Sequence, residues 1–392
     1  MTALRGAAAL VGLAEAAPVR DTGDHTDLSL AAEVGTAAVR DAGLELSDID
    51  GLLTHPMSVV SRLVPSTVAE ALGLRLSYAD SVDLGGATAA GMVWRAAAAV
   101  LSGMCSACLC ITAVPRTTDP AVLGGPSRRM TDRSPAREFE APYGNVGATE
   151  GYAMIAQRYE YEFGPTAVAR ARIAVAQRAN AARHPHAYFR ATPLTVADVL
   201  GSEMIADPLR KLEMVLPTGG AAAVVVTSRA VAARTPRPPV LVLGAGEAVT
   251  HKSITYAPQL TTSAIREAAD RAFAMAGVGR AQVGLVSVYD CYTITALMTL
   301  EDAGFCAKGA GAAFVDDHDL RWSGDFPMNT NGGQLSFGQA DVAGGMSHVT
   351  ETVLQLQRRA DDRQVDGLEF AFVNGNGGIM SEQASLVLGV DQ

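Results

Sequence analysis

Two textures alternate along most of this chain: short apolar runs closed by glycine or polar residues, and longer Ala-rich stretches with helical spacing. VGLAEA (11–16) and LGAGEA (243–248) read as buried strands, and DAGLELSDIDGLLTH (41–55) as a helix end closed at Ala42-Gly43 and followed by another strand. SVDLGGATAAGMVWRAAAAVLSG (81–103) predicts strand, glycine turn and buried helix, with the apolar run MCSACLCITAV as the next strand. In VYDCYTITALMTLEDAGF (288–305) a strand ends in Tyr289-Asp290-Cys291-Tyr292, and a helix carrying Leu297, Met298 and Leu300 follows at once. Polar groups at such a strand end are where α/β proteins place their chemistry.

The pattern occurs twice. Glu15 in the first strand and Glu247 in its later counterpart are 232 positions apart, and Ala42-Gly43 matches Ala276-Gly277 at an offset of 234. NTNGGQLSFGQADVAGGMSHVTETVLQLQRR (329–359) and GLEFAFVNG (367–375) repeat the turn, helix and strand of the first half. The expected organisation is therefore an N-terminal half, 1–235, and a C-terminal half, 236–392, joined through the Pro-rich ARTPRPPV (233–240). An insertion over about 115–215, which opens in a Pro-, Gly- and charge-rich stretch, interrupts the first half. Strands alternating with helices predict an α/β fold with mostly parallel sheets.

Composition narrows the function classes. Apolar residues make up 48% and charged ones 18%, so the chain buries a sizeable core. A formal charge of −10 argues against nucleic acid and anionic membranes as partners, since both reward clustered Lys and Arg. Five cysteines, three of them (Cys105, Cys108, Cys110) in one apolar strand, fit packing in a reducing cytoplasm; one CxxC without a second pair or a histidine cluster does not specify a metal site. The first twenty residues imitate a secretory signal, but Glu15 interrupts them and the repeat claims them for a strand. No run reaches the 18–20 or so uncharged residues of a membrane span.

Familiar catalytic signatures are missing. LGAGEAV has Val249 where a dinucleotide loop needs its third glycine, and there is no Walker A lysine, HExxH or GxSxG. Instead the duplicated halves, the phrase from Asp41 to Gly51, YDCYTIT…LEDAGFCAKG (289–309) and NTNGG…SFGQ…GGMSHVTE (329–351) resemble the thiolase superfamily, in particular its sterol-carrier-type, lipid-transfer-protein branch. The resemblance spans nearly the whole chain. It implies the thiolase fold: two halves, each with a mostly parallel five-stranded sheet, in αβαβα layers.

It also implies that the catalytic set has been replaced. The nucleophilic cysteine at the start of the first half's buried helix falls on Gly86, and the histidine of the His-Asp-Cys-Phe-like turn on Tyr289. The Gly-His-Pro turn becomes Gly338-Gln339-Ala340, and the C-terminal Cys-x-Gly becomes Asn376-Gly377-Gly378, with Asn374 as an alternative alignment. Acyl-cysteine chemistry needs a thiolate and its base, and neither is there. The cysteine-less members of the branch are retro-aldolases on β-hydroxyacyl-CoA thioesters from steroid side chains, working with a small OB-fold partner. By that resemblance Tyr289 is the expected base, its pKa lowered from about 10 by a neighbour. Gln339 and Asn376 are expected to donate to the thioester oxygen, and Gly86 to offer a helix-terminus anion site. One departure is plain: that template carries a second tyrosine near the C-terminal motif, where this chain has Asn374 and Asn376.

Gly86, Asp290, Cys291, Tyr143, His348 and Gly378 form the expected substrate-binding set. Plainer roles stand beside these: Asp290 as a helix N-cap, Cys291 as packing or, in an acyltransferase reading, a nucleophile, and His348 as a structural hydrogen-bonding residue. Tyr143, in the insertion, is expected to line a substrate tunnel. No cofactor or metal is expected, coenzyme A entering only as the substrate's thioester. A noncatalytic acyl-CoA- or lipid-binding subunit is the alternative function. The resemblance further implies a homodimer, extended by the OB-fold partner to a heterotetramer.

Overall fold

The computed structural model describes residues 4–58, 62–119 and 134–390; the opening of the insertion, 120–133, lies outside them. Strands β1 (Ala8–Glu15), β2 (Gly51–Thr54), β3 (Tyr78–Ser81), β4 (Ala107–Val114), β7 (Gly220–Ser228), β8 (Val240–Val249), β9 (Leu285–Val288), β10 (Phe370–Gly377) and β11 (Glu382–Val390) form one sheet, and β5 (Met204–Ala206) and β6 (Leu209–Arg210) a separate hairpin. The order across the large sheet is β3-β2-β4-β7-β1-β8-β11-β10-β9. Strands 8–228 build one side and strands 240–390 the other. In each side all strands but one, β7 or β11, run the same way. A two-pair ladder, Ala9 with Leu241 and Leu10 with Val240, joins them, and a bridge from Val286 to Met328 takes the outer place beside β9.

Burial on both faces explains the apolar runs. Along β1, Ala9 and Val11 pack with Leu30 and Val34 of α1 (Asp27–Asp41), whereas Ala8 and Leu10 pack with Met92 and Val93 of α3 (Thr88–Leu101). A shorter helix, α2 (Val64–Leu72), lies beside β2 and β3, and α6 (Ile265–Ala276) covers β8 and β11. Between the two sides run α3 and α8 (Gly344–Leu356), each touching strands from both halves. That is the αβαβα layering. The central helices are apolar nearly all round, as sandwiched helices must be.

The glycines of LGAGEA serve this packing and not a nucleotide. Gly244 and Gly246 lie inside β8, where an added Cβ would come within 2.0 Å of the Ala272 and Ala268 carbonyls of α6. The matched glutamates cross between halves. Glu247 of β8 accepts from Arg95 at 2.6 Å and Trp94 at 2.8 Å on α3, while Glu15 of β1 accepts from Thr350 of α8 at 3.0 Å.

The described insertion folds mainly as α4 (Ala148–Phe163) and α5 (Ala167–Ala181). Fully buried Arg170 of α5 bonds Glu213 at 2.7 Å and Glu160 at 2.5 Å. Glu213 also accepts from Thr293 at 3.1 Å, the first residue of α7 (Thr293–Asp302), so the insertion is tied to the helix that follows Tyr289–Tyr292.

Candidate active site

A cleft of about 520 Å³ opens where the insertion meets both halves. Its lining brings together Gly86, Tyr289, Cys291, Gln339, Asn376 and Gly378, residues scattered over 293 positions of sequence (86 to 378). The C-terminal end of β9 supplies Tyr289 just beyond its last residue, and the last residues of β10 supply Asn376. Turns leading into the central helices supply Gly86 (residues 85–87, before α3) and Asp341 (residues 341–343, before α8). Both central helices thus turn their N-termini to the cleft, and their dipoles favour negative charge developing there.

Tyr289 lies on the cleft floor. Its hydroxyl accepts from Gln339 Nε2 at 2.9 Å and donates to the Asp341 carbonyl at 3.2 Å. Its ring stands against Gly86: a Cβ there would lie 2.4 Å from Tyr289 Cζ and 2.4 Å from the Asn376 carbonyl. The expectation that a neighbour lowers the Tyr289 pKa is not met. Burial pushes the phenol well above the ordinary tyrosine range, the nearby Asp341 and Asp290 charges add to that, and the Gln339 bond only partly offsets it. Tyr289 therefore holds its proton in the free protein.

Asn376 is fixed by its surroundings. Gln383 Nε2 donates to its Oδ1 at 2.7 Å, which leaves its Nδ2 to donate to the hydroxyl of Tyr152 at 2.9 Å; that hydroxyl in turn donates to the Gly378 carbonyl at 2.9 Å. The alternative, Asn374, accepts from Ser385 at 2.7 Å and does not line the cleft. Cys291 lines the cleft, but burial pushes its thiol up to about 12, unsuited to a resting nucleophile.

Three expected substrate-binding residues lie elsewhere. Tyr143 is 89% exposed on a surface turn, away from the cleft lining. Its Pro-Tyr-Gly turn faces outward because the neighbouring Glu140 is the residue anchored inward, accepting from Thr255 at 2.9 Å. His348 sits in the second turn of α8, buried behind Tyr289, and desolvation pushes its imidazole down to about 3, so it is neutral packing and not a substrate contact. Asp290 is fully buried and accepts from the backbone N–H of Gln334 at 2.6 Å. It caps the short helix Gly333–Ser336, and burial pushes its carboxyl up to about 7. A side chain at 333 would collide with that carboxylate.

Sequence reasoning missed Tyr152, Thr149, Tyr292 and Asp341, all in the lining. Tyr152 stacks on Tyr292 with centroids 4.5 Å apart, and Thr149 bonds the Tyr292 hydroxyl at 2.8 Å. Burial pushes the Tyr152 phenol well above its ordinary range and raises Tyr292 too. Among the described residues no group of three or more His, Cys, Asp or Glu side chains is placed to hold a metal, and no helix is long and apolar enough to cross a membrane.

Comparison with known proteins agrees with the fold. Residues 246–390 match the family described as thiolase C-terminal domain-like. The steroid side-chain-cleaving aldolase of Thermomonospora curvata is 33% identical, over 100% of both chains. The 17-hydroxy-3-oxo-4-pregnene-20-carboxyl-CoA lyase of Mycobacterium tuberculosis is also 33% identical, over 98% of this chain and 100% of that one. A solved structure described as an Ltp2-ChsH2(DUF35) aldolase superposes with a TM-score of 0.89 at 30% identity, covering 99% of each chain. The chain belongs to the thiolase superfamily, in the branch of steroid side-chain aldolases and sterol-carrier-type thiolases.

Proposed function

We propose that this protein is a carbon–carbon lyase that cleaves a β-hydroxyacyl-CoA thioester by a retro-aldol reaction, without an acyl-cysteine intermediate. The observation that carries this reading is the Tyr289 ring packed against Gly86, in the space a nucleophilic side chain would need. Full-length relatives named as an aldolase and a CoA lyase support it.

Retro-aldol cleavage needs the β-hydroxyl proton removed and the thioester enolate stabilised. Tyr289 is assigned to the β-hydroxyl, where its phenol takes up one proton as it passes its own on. Gln339 Nε2, the Asn376 amide and the N-termini of α3 and α8 are assigned to the thioester oxygen, which becomes negative as the bond breaks. No cofactor takes part.

The neighbour's description, which couples Ltp2 to ChsH2(DUF35), supports a working complex with a partner subunit. We assign this chain to a homodimer that binds an OB-fold partner in a heterotetramer, located in the cytoplasm. The test incubates the protein, with and without that partner, with β-hydroxyacyl- and β-ketoacyl-CoA esters and reads products by mass spectrometry. Release of a ketone or aldehyde plus a shortened acyl-CoA is the expected result; thiolysis of the ketoacyl esters, or saturable binding without turnover, overturns it.

A further inference from the structure

Strands β10 and β11 pair antiparallel, and near the cleft Asn374 lies opposite Ser385 and Asn376 opposite Gln383. Side chains two apart on a strand share a face, so these four form one polar block. None of them is more than 2% exposed, and Phe372, Val373 and Leu386 beside them are buried apolar residues. Polar groups so deep in a sheet destabilise the fold unless each is hydrogen-bonded.

All four are bonded, and the direction of the bonds is set from one end. A carbonyl only accepts, so the Gly378 carbonyl takes the Tyr152 hydroxyl proton at 2.9 Å and leaves the phenol oxygen to accept. Asn376 must then turn its Nδ2 to Tyr152, at 2.9 Å, and its Oδ1 to Gln383 Nε2, at 2.7 Å. Gln383 Oε1 in turn accepts from Asn374 Nδ2 at 3.3 Å, and Asn374 Oδ1 accepts from Ser385 at 2.7 Å. Tyr152 lines the cleft, whereas Gln383 is fully buried and does not. The acceptor end of the Asn376 amide is therefore sealed inside the sheet, and its donor end lies on the cleft side. That nitrogen carries two hydrogens, of which Tyr152 takes one.

We infer that Gln383 and Tyr152 are positioning residues that clamp the Asn376 amide from its two ends, so that it meets the thioester oxygen with an N–H and not with its own carbonyl. The two orientations of a primary amide are nearly equal in shape and opposite in the partial charge they present. An unclamped asparagine would spend part of its time with an oxygen facing the developing enolate oxygen, which repels it. Fixing the donor orientation before substrate arrives is preorganisation of the kind that stabilises a transition state more than a ground state.

The inference rests on the proposed lyase activity and on the place of Asn376 in it, and the test separates the two. Gln383→Met keeps the length of the side chain, and Tyr152→Phe keeps the ring stacked on Tyr292. Each is assayed for kcat and KM with the best-cleaved hydroxyacyl ester, in the wild-type and in the Asn376→Ala background. In the wild-type background each is expected to lower kcat about tenfold or more, with KM within about threefold. Once Asn376 is gone, each is expected to change kcat by less than about twofold, because the group it positions is absent. Equal losses in both backgrounds, no loss in either, or an Asn376→Ala variant with wild-type kcat overturns the clamp and leaves the lyase reading standing. A wild type that cleaves nothing overturns both.

Discussion

Tyr289 and Gly86 share one space: the tyrosine Cζ stands 2.4 Å from where a Cβ on residue 86 would sit. A side chain at 86 and the ring at 289 are therefore mutually exclusive in this arrangement. Restoring a cysteine at 86 alone therefore cannot restore a thiolase. Gly86→Cys is expected to lose about 1–3 kcal/mol of stability through overpacking, and to lose lyase turnover as the ring is pushed aside. Urea denaturation and the ester assay check both, and a Gly86→Cys/Tyr289→His double variant is expected to recover part of the stability.

Tyr289→Phe keeps the ring against Gly86 but removes the proton-carrying oxygen. We expect kcat to fall about 10²–10⁴-fold while CoA-ester binding and thermal stability stay close to wild type. Parallel calorimetry and turnover assays check this; unchanged turnover assigns Tyr289 to packing.

Arg170→Leu strands Glu213 in the interior, since Arg170 and Glu213 are 1% and 2% exposed. Breaking one side of such a pair costs about 3–5 kcal/mol. Because Glu213 also holds Thr293, the residue after Tyr292, activity is expected to decline at temperatures where the sheet still gives a native circular dichroism spectrum.

Stability is expected to fall as pH rises from about 6.5 to about 8. Burial pushes the Glu15 carboxyl from 4.5 up to about 8, and Asp290 up to about 7, so the folded chain binds protons that the unfolded chain has already released. Their stabilising effect is complete below the unfolded pKa and is lost as pH climbs through the folded one. The buried His184 and His348, pushed down to about 4 and about 3, act with the opposite sign, but only below about 6.5. In Glu15→Gln the decline between about pH 6.5 and pH 8 is expected to shrink, as read from urea midpoints at each pH.

Much of the architecture was legible because the chain writes it twice, in runs that must be apolar on both faces: β1 and β8, β4 and β10, and the helices around Ala96 and Val349. The cleft floor was legible through motif positions, which led to Tyr289, Gln339 and Asn376. Residues without a motif were not. Tyr152 carries the spacing of a core helix, and only the fold reveals that its hydroxyl ends at Gly378. Asp341 follows the Gly-Gln-Ala turn with no pattern of its own, and its left-handed backbone is invisible in the letters. Tyr143 and His348 misled for the converse reason, since residue type suggested chemistry where burial or exposure decides. The rise of the Tyr289 pKa comes from desolvation by segments far apart in sequence, which no local pattern reports.

Glu15 and Glu247 occupy matching places in the two halves, yet each has its partner in the other half: Thr350 for the first, Arg95 and Trp94 for the second. The ancestral repeat is no longer modular. Cut within the 233–240 linker, neither piece would keep a mate for its own strand glutamate, and one would be left with an arginine facing nothing. What began as two copies of one design has become a mutual dependence, with the same letter kept as a neutral acid on one side and as half of an ion pair on the other.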